Sequence, residues 1–307
     1  MSDLPPSESV DSTESVTDPI ALDFAGTVVV TGASTGIGYA TAQLLTRRGY
    51  RVLATVRKEE DAARLRSEFG PRVEPVLVDV IEDDQIAALA ARAQELVGDQ
   101  GLTGLVNNAG IAIAGPMMHI DLDDLRYQLD VNVVGVVAVT QALLPLLGAR
   151  HGANHVPGRV VNISSVSAFT TYPFMGPYAA SKHALEALND AMRREFAVYG
   201  IPVISIVLGA VQTPIWDKAE NQDLERYAET DFGKPMMTMH SMTKRLAATA
   251  MPVERAAALI GHALLTAKPR NRYVLANNWL LGWVIPRLLP ERFLDWALRK
   301  QLGLERL

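Results

Sequence analysis

Residues 27–39 read T-V-V-V-T-G-A-S-T-G-I-G-Y, and this stretch decides how the rest of the chain is read. Thr27, Val28, Val29 and Val30 are strand formers, and from Ala40 onward the composition turns helical (A-T-A-Q-L-L-T-R-R). Between the two lie Gly32, Gly36 and Gly38, spaced G-x-x-x-G-x-G. A strand that runs through a tight turn into a helix leaves unpaired backbone N–H groups and the positive end of a helix dipole aimed at one spot, which favours a phosphate there. Glycine keeps a Cβ out of the way of such a ligand. The turn predicts a dinucleotide cradle built from Gly32, Ser34, Thr35, Gly36, Ile37 and Gly38.

Outward from the turn, strand-like and helix-like stretches alternate, the pattern of a parallel sheet covered on both faces. Strands are expected at 51–56, 73–78, 102–106, 159–163, 202–208 and 272–275, rich in Val, Leu and Ile as a sheet buried on both sides requires. Helices are expected at 59–68, 83–97, 122–147, 177–199 and 253–266. The fold class is α/β: one doubly wound domain over residues 24–277, with sheet order 3-2-1-4-5-6 and a seventh strand near Tyr273.

Three segments stand outside that alternation. Residues 1–23 are rich in Ser, Asp and Pro without periodicity and read as a disordered tail, with neither the apolar core of a signal peptide nor the basic character of a transit peptide. Residues 214–251 form a methionine-rich insertion, either a surface helical hairpin or a mobile lid over an apolar substrate. Residues 278–307 form an amphipathic extension, too interrupted by Pro286, Arg287 and Pro290 to span a bilayer. Docking on its own domain is the first reading of 278–302; the others are closure of the substrate pocket and a weak membrane-surface contact.

Composition narrows the function. The 307 residues contain no cysteine, which removes disulfides, thiolate nucleophiles and Cys-bound zinc and points to a reducing, cytoplasmic compartment, with peripheral membrane attachment as the variant. A formal charge of −5 without a basic run argues against nucleic acid. The six histidines form no H-E-x-x-H or comparable set, so no metal is expected, and His151 and His155 read as solvated loop residues.

Tyr178 and Lys182 stand at i and i+4 of P-Y-A-A-S-K-H-A-L-E-A-L, on one face of a helix. A tyrosine is a poor proton carrier at neutrality, but an ammonium within reach stabilises the phenolate and draws its pKa toward the working range.

With T-G-A-S-T-G-I-G, N-N-A-G at Asn107 to Gly110, and Y-A-A-S-K in this order, residues 24–275 resemble the short-chain dehydrogenase/reductase family. The resemblance implies a catalytic serine thirteen residues before Tyr178, which is Ser165 rather than Ser164, and a structural and relay asparagine at Asn132 in N-V-V-G. It further implies that Asn108, Ala109 and Gly110 line the cofactor, that Asp79 with Val80 meets the adenine, and that Gly209, Val211 and Thr213 contact the dinucleotide after the sixth strand, where Leu208 replaces the family's frequent proline. The mechanism it implies gives Ser165 the substrate oxygen, Tyr178 the proton, Lys182 the nicotinamide ribose and the depression of the tyrosine pKa, and Asn132 a water joining Lys182 to solvent. The run T-P-I-W-D-K, with the strand V-L-A-T-V-R, is similar to members acting on steroids, retinoids and other bulky apolar alcohols, so the expected partner is an apolar alcohol or ketone. Homodimers or homotetramers through the helices at 122–147 and 177–199 follow from the same resemblance. The competing expectation is a catalytically silent cofactor-binding sensor or scaffold.

Cofactor choice rests on the end of the second strand. An acid there would bind the ribose 2′-OH of NAD, but R-V-L-A-T-V-R-K holds Val56, Arg57 and Lys58. A guanidinium clamps a phosphate, so Arg57 predicts NADP, with NAD as the alternative.

Overall fold

In the computed structural model, Val28, Val29 and Val30 of strand β1 (Thr27–Val30) show no accessible surface, as a strand covered on both faces must. The structure describes residues 24–150, 152–214, 225–277 and 280–304; the expected tail, His151 and the part of the insertion at 215–224 lie outside them.

Seven parallel strands follow the order β3-β2-β1-β4-β5-β6-β7: β1, β2 (Arg51–Val56), β3 (Val73–Leu77), β4 (Gly104–Asn107), β5 (Arg159–Ser165), β6 (Val203–Leu208) and β7 (Arg272–Leu275). Order and direction agree with the sequence reading. The fourth strand lies further along than the expected 102–106: Asn107 enters the ladder opposite Asn162, and the fifth strand runs on to Ser165, opposite Leu208. Ser165 therefore stands at the carboxyl edge of the sheet, beside the point where the strand order reverses between β1 and β4, the place where such sheets bind ligands.

On one face lie α1 (Gly36–Arg47), α2 (Glu59–Phe69) and α8 (Val253–Leu265), whose Ala42, Leu45, Leu65, Ala256 and Ile260 join the valines of β1 and β2 in one core. On the other lie α3 (Asp83–Val97), the helical run 122–147 and α6 (Gly176–Glu195), closed over Val29, Leu53, Leu105 and Val160. The run 122–147 is not one regular helix. It comprises α4 (Leu122–Leu129), a π-helical turn (Asp130–Val134), α5 (Gly135–Leu143) and a 3₁₀ turn (Leu144–Leu147).

Past the sheet, the described part of the insertion is a 3₁₀ turn (Glu225–Tyr227) followed by one helix, α7 (Gly233–Ala248). The described part packs on the domain. Tyr227 and Met236 are buried with Phe174 and Leu302, and Phe232, Met239 and Met242 pack around them. The C-terminal stretch makes a π turn (Leu280–Val284), α9 (Ile285–Leu288) and α10 (Glu291–Leu302). Trp283, Leu298 and Leu302 are buried, while Phe293 and Trp296 stay half exposed at 51% and 56%. One side of α10 thus docks on the domain and the other faces solvent.

Candidate active site

The glycine turn is held from three directions. Gly32 N–H donates to Thr55 Oγ1 at 3.0 Å and Ala33 N–H to the Thr55 carbonyl at 2.8 Å, tying the turn to β2. Asn108 Nδ2 donates to the carbonyls of Thr31 and Gly32 at 2.9 and 3.0 Å, and Thr31 Oγ1 accepts from the N–H groups of Asn108 and Ala109. Gly38 admits no side chain: a Cβ there would lie 2.4 Å from the Gly32 carbonyl oxygen and 2.5 Å from Asn108 Nδ2. A Cβ on Gly36, whose φ is +58°, would meet Thr213 at 3.1 Å, which places the loop after β6 against the turn.

Thr35 makes no side-chain cap, and the first turn of α1 contains no acid. Its amide donors thus face the cradle without an internal competitor, which suits an anion. The loop after β6 is kept in place by main-chain bonds: Gly209 N–H to the Leu275 carbonyl at 2.8 Å, Met251 N–H to Ala210 at 3.0 Å, and Gln212 N–H to Met251 at 2.8 Å. Val211 bridges to Met251, so the turn is firm with leucine in place of the family's frequent proline.

At the end of β2, Arg57 reaches across to β3 and α4. Its Nη1 lies 3.7 Å from Asp79 Oδ2 and donates to Tyr127 Oη at 3.4 Å. Asp79 and Arg57, expected at the adenine end, are thus brought together; Val80 is buried behind them, its carbonyl 2.6 Å from where a Cβ on Gly135 would stand. The sequence did not reveal Arg64. From α2 its Nη2 donates to the Ser34 carbonyl at 2.6 Å and to Asp61 Oδ1 at 2.8 Å, putting a second cation beside the glycine turn. No local pattern marks it, because the contact crosses from one βα unit to another.

Ser165, Tyr178, Lys182 and Asn132 converge at the carboxyl ends of β4 and β5. Ser165 Oγ accepts from Ser167 N–H at 3.1 Å and, standing near the Tyr178 hydroxyl, acts to lower its pKa. Burial is the larger influence and raises the Tyr178 pKa overall, although part of the ring meets solvent. The lysine Nζ stands 5.8 Å from the tyrosine ring centre and donates one of its three N–H groups to the Ile163 carbonyl at 2.8 Å. Burial also lowers the Lys182 pKa to about 8, with Glu186 acting in the opposite direction.

Asn132 is turned inward by the π-helical turn, a local widening that recurs at functional sites. Its Nδ2 donates to the Ile111 carbonyl and to Ser181 Oγ, each at 3.0 Å, and its Oδ1 accepts from Ile111 N–H at 2.9 Å. Ser181 Oγ in turn donates to the Tyr178 carbonyl at 2.7 Å. The amide is therefore a strut between the loop after β4 and the helix of Tyr178. Both its amide hydrogens are engaged. Gly110 sits against it, with a Cβ there 3.3 Å from Asn132 Oδ1. His155 is not the solvated residue expected. Its ring is packed under Gly101 and Gly148, with Nε2 buried and without a partner.

A family model described as short chain dehydrogenase matches residues 26–224. The NADPH-dependent 3-dehydrocapnine reductase of Ornithobacterium rhinotracheale is 37% identical over 274 residues, covering 89% of this chain and 96% of that protein. Human retinol dehydrogenase 16 is 36% identical over 286 residues (87% and 86% covered), and human 17-beta-hydroxysteroid dehydrogenase type 6 is 31% identical over 287 residues (89% and 87% covered). Among solved structures, a short-chain dehydrogenase from Streptomyces avermitilis superposes with a TM-score of 0.71 at 27% identity, covering 92% of this chain and 98% of that one.

Proposed function

The chain belongs to the short-chain dehydrogenase family, and on that premise we propose that it is an NADP-dependent oxidoreductase interconverting a bulky apolar alcohol and its carbonyl. The observation that carries the reading is the meeting of Ser165, Tyr178 and Lys182 at the sheet's carboxyl edge, with a glycine cradle on the same edge. A sensor or scaffold needs the cradle but has no use for a phenol set between a serine and a buried amine.

The residues fit a dinucleotide. Gly38 leaves no room for a side chain against the Gly32 carbonyl, and the start of α1 has neither cap nor acid. When bound, the nicotinamide supplies or accepts the hydride. Gly32, Ser34, Thr35, Gly36, Ile37 and Gly38 would cradle the pyrophosphate, Asp79 and Val80 the adenine, and Asn108, Ala109, Gly110, Gly209, Val211 and Thr213 the nicotinamide half. Arg57 and Arg64 would share the 2′-phosphate. A relative named as NADPH-dependent supports that choice; NAD is the alternative.

Ser165 orients the substrate oxygen by a hydrogen bond, and Tyr178 gives its phenolic proton to that oxygen during reduction or takes it during oxidation. Lys182 holds positive charge beside the phenol and would hold the ribose hydroxyls. Asn132 fixes the helix of Tyr178 against the loop after β4. The apolar substrate class is supported by the names of the retinol and hydroxysteroid relatives and by the cluster of Phe174, Tyr227, Phe232 and Met236, over which α7 would serve as a lid.

The outer side of α10 favours a second partner, a lipid surface. Phe293 and Trp296 lie 5.7 Å apart, half exposed, on a helix that also carries Arg292, Arg299 and Lys300. Self-association through 122–147 and 177–199 is supported by exposed Val134 and Val198 on those segments. The test of the function is a panel of steroids, retinoids, aliphatic alcohols and sugars, read by cofactor absorbance with NADP(H) and NAD(H). Turnover of none, with either cofactor bound, would leave the scaffold reading standing.

A further inference from the structure

The buried side chains of helix α3 against the sheet, Ile86, Leu89, Ala93 and Val97, are all apolar. The helix of Tyr178 adds a polar stripe. Lys182, Glu186 and Asn189 stand at i, i+4 and i+7, all more than nine-tenths buried. Each is bonded to a strand. Lys182 Nζ donates to the Ile163 carbonyl of β5 at 2.8 Å, and Asn189 Oδ1 accepts from Asn162 Nδ2 of β5 at 2.6 Å. Glu186 takes the middle place. One carboxylate oxygen accepts from the Ser205 hydroxyl of β6, and the other from Arg272 of β7, through Nε at 3.0 Å and Nη2 at 2.5 Å.

A carboxylate so deeply buried is retained only where its charge is met. Arg272 meets it from one side. One helical turn away, on the same face, is Lys182, an amine that burial alone would drive toward neutrality. The charged and titratable groups around that amine are Tyr178 and Glu186 on its own helix and Arg272 behind Glu186; β5, β6 and the π turn present the Ile163 carbonyl, Ser165, Ser205 and Asn132, all neutral. Arg272 also lies 5.2 Å from the Phe169 ring centre, against which Trp283 and Arg287 of the C-terminal stretch pack.

We propose that Glu186, pinned by Ser205 and Arg272, is a positioning residue for Lys182: its carboxylate keeps the buried amine charged at neutral pH and so sets the pH range in which the site works. The proposal rests on the reading of Lys182 as part of the reacting group. Its test does not require the substrate.

The full chain labelled with ¹³C at lysine Cε, with Lys182→Met to assign the signal, gives the Lys182 titration midpoint by NMR. Glu186→Gln keeps the shape and removes the charge. Its midpoint should fall by at least about half a pH unit, a roughly threefold change in the ratio of charged to neutral amine at fixed pH. Arg272→Gln removes the opposing cation and should raise the midpoint, whereas damage to packing would move both variants the same way. A midpoint in Glu186→Gln equal to or above that of the unaltered protein overturns the proposal. If that variant does not fold, a midpoint in Arg272→Gln equal to or below the unaltered value does the same. As a second reading, the rise of the NADPH dissociation constant with pH, followed by fluorescence, should begin at lower pH in Glu186→Gln. Failure of the dehydrogenase reading is distinguishable, because it appears as turnover of none of the panel substrates by the unaltered protein and leaves the lysine titration untouched.

Discussion

Arg64 Nη2 donates to the Ser34 carbonyl at 2.6 Å, so a guanidinium from α2 rests on the glycine loop proposed to cradle the dinucleotide. With Arg57 at the end of β2, two cations flank the place where a 2′-phosphate would sit. The turn itself has a neutral Thr35, and Arg64 supplies from a neighbouring helix the charge the turn lacks. Arg57→Asp should shift the kcat/KM ratio for NADP over NAD toward NAD by about tenfold or more, and Arg64→Ala should shift it in the same direction by less. An unchanged ratio in both variants would remove the guanidinium reading of the phosphate.

Tyr178→Phe keeps the ring and removes the proton carrier. Turnover should fall by at least about 10²-fold while NADPH binding, measured by fluorescence, stays within about threefold. Near-normal turnover in this variant contradicts the mechanism.

Lys182 is expensive to bury. With its pKa drawn from 10.5 to about 8, the folded state binds fewer protons than the unfolded state between those values, so stability rises with pH across that window. The drop corresponds to a cost of about 3 kcal/mol at neutral pH. Lys182→Met should therefore melt at a higher temperature than the unaltered protein at pH 7, with the gap closing toward pH 10.5, while losing activity. A variant that melts lower at pH 7 would show that the Ile163 bond outweighs the burial of the charge.

Gly38→Ala tests the cradle. Its Cβ would stand 2.4 Å from the Gly32 carbonyl oxygen, so the start of α1 must move. A loss of about 1–3 kcal/mol in denaturant unfolding is expected, together with weakened NADPH binding. Intact stability and affinity would mean that the turn yields more easily than its packing implies.

The outer side of α10 is tested with vesicles. Co-sedimentation with anionic liposomes should exceed that with neutral ones, and replacing Phe293 and Trp296 by serine should abolish it without changing the melting temperature, because neither ring is in the core. Equal sedimentation of the double variant would dismiss the lipid surface.

By itself the sequence determined the alternation of strand and helix, the glycine turn and the spacing of Tyr178 from Lys182, because these are local: they follow from which residue types stand a few positions apart. The tertiary structure alone decided what those residues meet. Arg64 reaches Ser34 across 30 positions and Arg272 reaches Glu186 across 86, separations at which no periodicity operates. The direction of the Lys182 amine toward Ile163, the inward turn of Asn132 and the packing of His155 under Gly101 all depend on burial, which is a property of the assembled layers. Burial also sets the sign of the Tyr178 shift, since the cost of charging a phenol depends on the protein around it and not on the helix that carries it.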